Sequence, residues 1–321
     1  MRTKIVYVLV SQESDYYYEM FLLSHYSLRL HHPKGDAEVV LVMDTDTHQR
    51  LVDKKAPVLD DVTPVVVSIP EEYTIMQRSR YLKTSLRQRI EGGFLYVDCD
   101  TIICEPIDDI DILNENIAML PERMTGGWMK NFEKVNLGHL KDTAFYNSGI
   151  IYAKEAPDVY KLFEVWHASW KSYLHLGINL DQPALCEAIQ ETHCNIKKLS
   201  YIWNYFLEKA ETDINPQAKI FHYLSYDNGI ARHLLFSEIR QKGIANNIAV
   251  ERVVKNPFTI GCHIFSINKE QMIGYLFSDI LGTYSSAPPI FKFFLFLSHV
   301  TVKPVRFLSL LKHNIARAWN W

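Results

Sequence analysis

The chain has 321 residues, 48% of them hydrophobic and 22% charged, a mix that buries a substantial core and excludes disordered and collagen-like classes. A formal net charge of -3 argues against a general nucleic-acid binder, which needs a strongly basic face. The five cysteines (Cys99, Cys104, Cys186, Cys194 and Cys262) are odd in number and lack the paired short spacings of a zinc site, so a reducing compartment is the simpler setting.

Arg2 and Lys4 precede an apolar run, Ile5 to Val10, that is shorter than a signal-peptide core and has no cleavage-like small residues after it; it reads as a first strand. Glu38 to Met43 is a second such run, and a helical-looking stretch from about Tyr16 to Leu30 joins them into a βαβ unit. Continuous rather than alternating apolarity predicts strands covered on both faces, as in a parallel sheet flanked by helices. Val65 to Val67 adds a short strand entered through Pro64, which a strand's first position tolerates. Gln77 to Ile90 then reads as a basic helix leading into the strand Phe94 to Val97. Pro121 to Thr143, with Gly126, Gly127, Trp128 and Gly138, reads as a long excursion from the sheet. A strand at Ile150 to Ala153 follows, then helices over Val159 to Tyr173 and Gln182 to Glu191, and a strand end at Lys219 to His222.

These elements make an α/β chain with a Rossmann-like, mixed and mostly parallel sheet over 1–235. A mixed, mostly helical C-terminal extension is expected over 236–287 and a basic aromatic tail over 288–321. That tail has no acidic residue after Pro289, while Lys292, Lys303, Arg306, Lys312 and Arg317 interleave with Phe, Leu and Trp. The charges interrupt it too often for a membrane span, which needs about 20 nearly uncharged residues. A segment lying on an anionic membrane surface fits this pattern, as does a helix packed on the main domain or a partner.

Asp98 and Asp100 follow an apolar strand directly, so they project from the carboxyl edge of the sheet, where open α/β folds bind ligands. Two carboxylates there suit Mn²⁺ or Mg²⁺, which bridges protein oxygens to those of a diphosphate; loop Asp pairs also serve as turn formers. Arg80 and Lys83 are one helical turn apart and could hold a diphosphate together, or could belong to a solvated basic face with Arg78, Arg87 and Arg89. Ser11 and Asp44 follow the first two strands, at the positions nearest a base and ribose. No Gly-x-Gly-x-x-Gly and no Gly-x-x-x-x-Gly-Lys-Ser/Thr loop occurs, so neither a dinucleotide cofactor nor a P-loop is supported. Asn147, Asp181 and Gln182 could hydrogen-bond sugar hydroxyls, although Asn147-Ser148-Gly149 also reads as turn chemistry and Asp181 as a cap for the helix at Gln182-Pro183.

Three ordered segments carry a resemblance to a known family. Phe94-Leu95-Tyr96-Val97-Asp98-Cys99-Asp100 resembles the Asp-x-Asp segment of GT-A glycosyltransferases, especially the group containing glycogenin and the bacterial lipopolysaccharide galactosyl- and glucosyltransferases. Phe145-Tyr146-Asn147-Ser148-Gly149 is similar to that group's Phe-Asn-Ser-Gly strand, and Asp181-Gln182-Pro183-Ala184-Leu185 to its Asp-Gln-x-x-Leu helix start. The resemblance covers about Met1 to Ser225. It implies a GT-A fold and transfer of a hexose, with retention, from a nucleotide sugar such as a UDP-hexose. It places Asp98 and Asp100 on the metal with His222 as third ligand, Cys99 in the donor-binding segment, Arg80 and Lys83 beside the nucleotide, and Asn147, Asp181 and Gln182 at the sugar. A lone His at a strand end also reads as a hydrogen-bonded core residue. The Gly and Lys-Pro-Trp that follow this His in the family are replaced by Ser225-Tyr226-Asp227-Asn228-Gly229. With the basic tail, the resemblance points to a lipid-linked or lipopolysaccharide glycan acceptor and to a cytoplasmic protein peripheral on the inner face of a membrane. A nucleotidyltransferase and a non-catalytic carbohydrate-binding protein on the same fold are the rival expectations.

Overall fold

A computed structural model describes residues 1–11, 16–122, 133–135, 145–206 and 218–222. The boundaries expected at 235 and 287, the tail over 288–321, most of the excursion over 121–143 including Trp128, and the segment after His222 lie outside these residues.

In chain order the elements are β1 (Lys4–Leu9), α1 (Tyr16–His31), β2 (Val39–Asp44), α2 (Thr45–Asp53), β3 (Thr63–Val67), α3 (Ile75–Thr84), β4 (Phe94–Val97) and β5 (Thr101–Ile103). Then come β6 (Ile117–Glu122), β7 (Phe145–Ala153), α4 (Pro157–Leu174), α5 (Gln182–Thr192), β8 (Lys197–Lys198), β9 (Tyr205–Phe206) and β10 (Ile220–His222). The main sheet runs β3-β2-β1-β4-β7-β6-β8, and β5-β10-β9 form a small second sheet. β1 to β4 are mutually parallel where they pair, whereas β7 runs antiparallel to both β4 and β6. The mixed, mostly parallel α/β sheet expected from the apolar runs is therefore present.

The continuous apolarity of β1 has its cause in two layers. Val6 and Val8 belong to one core cluster with Leu82 of α3 and Phe163 and Trp166 of α4, while Ile5, Tyr7 and Leu9 belong to another with Phe21 and Leu28 of α1. Both faces of the strand are closed to water, so period-two alternation has nothing to select it.

Several bounds differ from the sequence reading, and in three elements the cause is visible. α3 begins two residues earlier, because Thr74 and Gln77 form a reciprocal capping box, and it ends at Thr84, where the Thr84 and Ser85 hydroxyls bond back to carbonyls of the last turn. Pro64 is the second residue of β3 rather than its first; β3 is an edge strand, where a missing N–H is tolerated. β7 starts at Phe145, five residues earlier than expected, so Asn147-Ser148-Gly149 is strand and not turn. The β6–β7 register jumps from Met119↔Ile151 to Leu120↔Asn147, a bulge that the β6 ladder steps across.

Candidate metal and donor site

β4 ends at Val97, and the Asp98 N–H donates to the Gly149 carbonyl at 2.9 Å, which pins the acidic turn against β7. The chain then re-enters a strand at Thr101, and β5 pairs antiparallel with β10 so that Thr101 stands opposite His222. This pairing brings a residue 122 positions away to the carboxylates: His222 Nε2 lies 3.0 Å from Asp100 Oδ1. One ligand atom from each of Asp98, Asp100 and His222 falls within 4.8 Å of the others.

That donor set of two carboxylate oxygens and one imidazole nitrogen fits Mn²⁺ or Mg²⁺ chemistry. The backbone is shaped for it as well. A Cβ on Gly149 would lie 2.7 Å from His222 Cε1 and 2.9 Å from both Asp98 Oδ2 and Asn147 Oδ1, so only glycine leaves this cradle open. Cys99, between the two acids, turns away and donates its thiol to the Val8 carbonyl at 3.3 Å. Burial and the charges of Asp98 and Asp100 push its pKa well up, which keeps it a thiol rather than a metal-binding thiolate.

Asp100 and His222 support each other's charged forms. Burial would raise the Asp100 carboxyl, but His222 draws it below the ordinary carboxylate range. His222 is raised in turn: burial opposes its charged form, and the Asp100 carboxylate outweighs burial. Asp98 Oδ1 takes a short hydrogen bond from the Tyr96 hydroxyl and lies 3.3 Å from Lys83 Nζ. The Tyr96 phenol is pushed well up, chiefly by burial and then by the neighbouring Asp98 charge, so it remains a donor.

α3 supplies the cations, and they do not lie on a solvated face. The Lys83 side chain is 2% exposed and sits 3.7 Å from Asp181 Oδ2 as well as beside Asp98. Arg80 Nε lies 3.1 Å from Asp181 Oδ1. Asp181 is fully buried at the head of α5, where Ser148 donates to Oδ2 at 2.7 Å and the Trp166 indole donates to the backbone carbonyl at 2.9 Å. Its side chain makes no cap hydrogen bond. The capping role expected for Asp181 is thus corrected, because two cations and a serine hydroxyl hold the carboxylate away from the helix N–H groups. Burial would raise its pKa, but Lys83 and Arg80 hold it below the usual range. Arg80 Nε, Asp181 Oδ1 and Gln182 Oε1 are buried with no hydrogen bond among the described residues.

Ser11 and Asp44 lie at the carboxyl ends of β1 and β2, as expected, but their visible contacts belong to the scaffold. The Ser11 N–H donates to Thr47 Oγ1 at 2.9 Å. Asp44 accepts from the Thr47 N–H at 2.9 Å, capping α2, and from Arg78 Nη1, also at 2.9 Å.

Sequence reasoning missed Asn204, Ser148, Gly149 and Tyr96 as parts of the site. Asn204, fully buried in the short helical turn Tyr201–Asn204, donates to Asn147 Oδ1 at 2.8 Å and bonds His222 Nδ1 at 2.8 Å. Its one sequence signal is a polar residue inside the aromatic run Tyr201-Ile202-Trp203-Asn204-Tyr205-Phe206.

Comparison with solved structures adds an independent line. A galactosyltransferase, LgtC, solved in complex with donor and acceptor sugar analogs, superposes with a TM-score of 0.50 at 12% identity, over 71% of this chain and 89% of that one. The chain has the GT-A glycosyltransferase fold. GlyE of Streptococcus pneumoniae matches over 70% of this chain and 56% of its own at 14% identity and TM-score 0.47. Mouse xyloside xylosyltransferase 1 does so over 70% and 98% at 13% identity and TM-score 0.46. No family model and no curated protein matches the sequence. In the GT-A fold seen here, the acidic turn after β4, the bulged β7 and the head of α5 meet at one end of the sheet.

Proposed function

We propose that this chain is a metal-dependent glycosyltransferase moving a hexose from a nucleotide-diphosphate sugar, a UDP-sugar, to a hydroxyl acceptor. The observation that carries this reading is the convergence of Asp98, Asp100 and His222 beside Asp181, Gln182, Arg80 and Lys83 in a GT-A fold. Three carboxylates there face the basic side chains of Arg80 and Lys83, so the protein alone offers no surplus positive charge to a diphosphate. Mn²⁺ or Mg²⁺ held by Asp98, Asp100 and His222 would supply that charge for the departing nucleoside diphosphate.

The chain's own residues do the rest. Lys83 bridges Asp98 and Asp181, tying the metal-binding turn to the head of α5. Arg80 Nε, 3.1 Å from Asp181 Oδ1 but without a hydrogen bond among the described residues, is a donor, and Asp181 Oδ1 and Gln182 Oε1 are acceptors. A sugar's hydroxyls, each both donor and acceptor, would satisfy such a mixed set, where a purely apolar ligand would leave three buried polar atoms unsatisfied. Asp181 is also a poor general base, since its depressed pKa disfavours taking a proton from an acceptor hydroxyl. This supports retention over inversion by Asp181.

For the acceptor, the basic aromatic tail at 288–321 supports a lipid-linked or lipopolysaccharide glycan met at a membrane's inner face, with the protein peripheral to it. Among the described residues no helix is long and apolar enough to cross a membrane. The deciding experiment is a nucleotide-sugar screen scored by nucleoside-diphosphate release with Mn²⁺, comparing the native chain with Asp100→Asn. Metal-dependent release from one donor, lost in the variant, is the expected result; no release and no binding for any donor would sink the reading.

A further inference from the structure

A chain of hydrogen bonds behind the metal cradle has a polarity that can be deduced link by link. It begins at the Gly149 backbone N–H, which is a donor only and points 2.8 Å to Asn147 Oδ1. The Asn147 amide must therefore present its oxygen there. Asn204 reaches that same oxygen at 2.8 Å and so must present its NH₂ group. With its amide oriented in this way, Asn204 turns Oδ1 toward His222 Nδ1, 2.8 Å away. A carbonyl oxygen only accepts, so Nδ1 must carry a proton. Nε2, 3.0 Å from Asp100 Oδ1, is then the nitrogen left to face the metal site formed with Asp98 and Asp100.

The geometry points to Asn204 as a positioning residue that locks His222 in its Nδ1–H tautomer and aims Nε2 at the metal site. This inference rests on the metal-site reading above and extends it to a residue that touches neither metal nor substrate. Three features support it beyond the distances. Asn204 is fully buried and His222 2% exposed, so water is not a ready substitute partner for Nδ1. The relay starts from a glycine that the cradle already requires, so the group fixing the polarity and the group leaving room for the ligands are the same residue. Asn147, the midpoint of the relay, is also a candidate sugar contact, so the orientation of its amide and the tautomer of the metal-facing histidine are set together. A histidine that coordinates through one nitrogen gains orientation and basicity when the other donates to a fixed acceptor, and loss of such a partner typically weakens metal binding by about 10- to 100-fold.

The test is Mn²⁺ affinity of the full chain, measured by electron paramagnetic resonance of unbound Mn²⁺, for native protein, Asn204→Asp and Asn204→Leu, with Tm recorded for each. Asn204→Asp keeps an oxygen for the Nδ1–H but opposes a second oxygen to Asn147; Asn204→Leu keeps the volume and removes the acceptor. Affinity should fall about 10- to 100-fold in the Leu variant and stay within about threefold of native in the Asp variant. A packing role would instead make affinity follow Tm, so affinity tracking Tm across both variants overturns the inference. So does a folded Leu variant that binds as tightly as native. If the Leu variant does not fold, Asn204→Ala is compared in the native and His222→Ala backgrounds: a loss seen only when His222 is present supports the relay, and equal losses in both refute it. Absence of Mn²⁺ uptake by the native chain would bring down the metal-site reading itself and the inference with it, a result distinct from native binding that Asn204 does not influence.

Discussion

Helix α3 presents cations to two environments that differ in how completely they are satisfied. Toward the β2 end, Arg78 donates from Nη1 to Asp44 at 2.9 Å and Asp46 at 2.6 Å and from Nε to the Tyr73 carbonyl at 3.1 Å. Asp44 in turn caps α2, so that cluster is closed and needs nothing from solution. Two and five residues further along, Arg80 and Lys83 meet Asp181 and Asp98, and here the accounting stays open: Arg80 Nε and Asp181 Oδ1 are 3.1 Å apart yet neither makes a hydrogen bond among the described residues. Buried polar groups are nearly always paired, so the closed cluster reads as scaffold, while the open one has buried donors and acceptors to offer a ligand. The same helix and similar charges thus serve two purposes, distinguished by the hydrogen bonds left unmade.

The sharpest way to break this comparison is Arg78→Met. Removing one partner of a buried ion pair leaves Asp44 uncompensated and should lower stability by about 3 kcal/mol, read by urea denaturation. Nucleoside-diphosphate release per folded molecule should stay within a few-fold of native. A large loss of turnover at unchanged stability would move Arg78 to the ligand side of the helix and erase the distinction.

Gly149→Ala probes the open side. The added Cβ would lie 2.7 Å from His222 Cε1 and 2.9 Å from Asp98 Oδ2, so the ligand atoms must move apart. A displacement of that order costs about 100-fold in turnover, with Mn²⁺ affinity falling in step and Tm dropping by a few degrees from the overpacking. Arg80→Lys is gentler: it keeps the charge beside Asp181 but removes Nε and the planar fork, and about a tenfold loss in kcat/KM for the donor is expected at nearly native Tm. Equal kcat/KM for the two proteins would mean that the Arg80 Nε contributes nothing to holding the donor.

The sheet and the acidic turn were legible in the sequence because their signals are local. Phe94 to Val97 is both the expected strand and the observed one, and Asp98 and Asp100 stand at its carboxyl end for the reason that any residue after a parallel strand does. Asn147 and Asp181 were picked as residues, but their settings were not: a glycine beside an asparagine looks like a turn, and an acid before Gln-Pro looks like a cap. What overrides both local preferences is tertiary. A bulge fixes Ser148 on Asp181, and Lys83 and Arg80 draw the carboxylate away from its helix. Asn204 carries no comparable local signal; its partners are 57 and 18 positions away, and the polarity that gives it meaning passes through the bond that a glycine N–H makes to Asn147.

The smallest predicted effect belongs to the scaffold and tests whether that side is as closed at low pH as at neutral pH. His167 on α4 hydrogen-bonds Thr84, the last residue of α3, through Nδ1 at 2.8 Å. Burial, with Lys171 and Arg89 adding to it, brings its pKa down to about 4. The unfolded chain, with an ordinary histidine pKa near 6.5, therefore binds a proton that the folded chain resists across the interval between those values. Stability from this group is fully present above about pH 6.5 and is lost as the pH falls toward 4. His167→Gln keeps a hydrogen-bonding group opposite Thr84 and removes the titration, so native protein should lose about 1 kcal/mol more than the variant between pH 7 and 4.5, a difference of a few degrees in Tm. His25, also lowered to about 4 chiefly by burial, titrates in both proteins and cancels from the difference. Parallel Tm–pH curves for the two proteins would show that α3 and α4 part readily enough at acid pH for water to reach the imidazole, and the scaffold side of the helix would then be less closed than its hydrogen bonds imply.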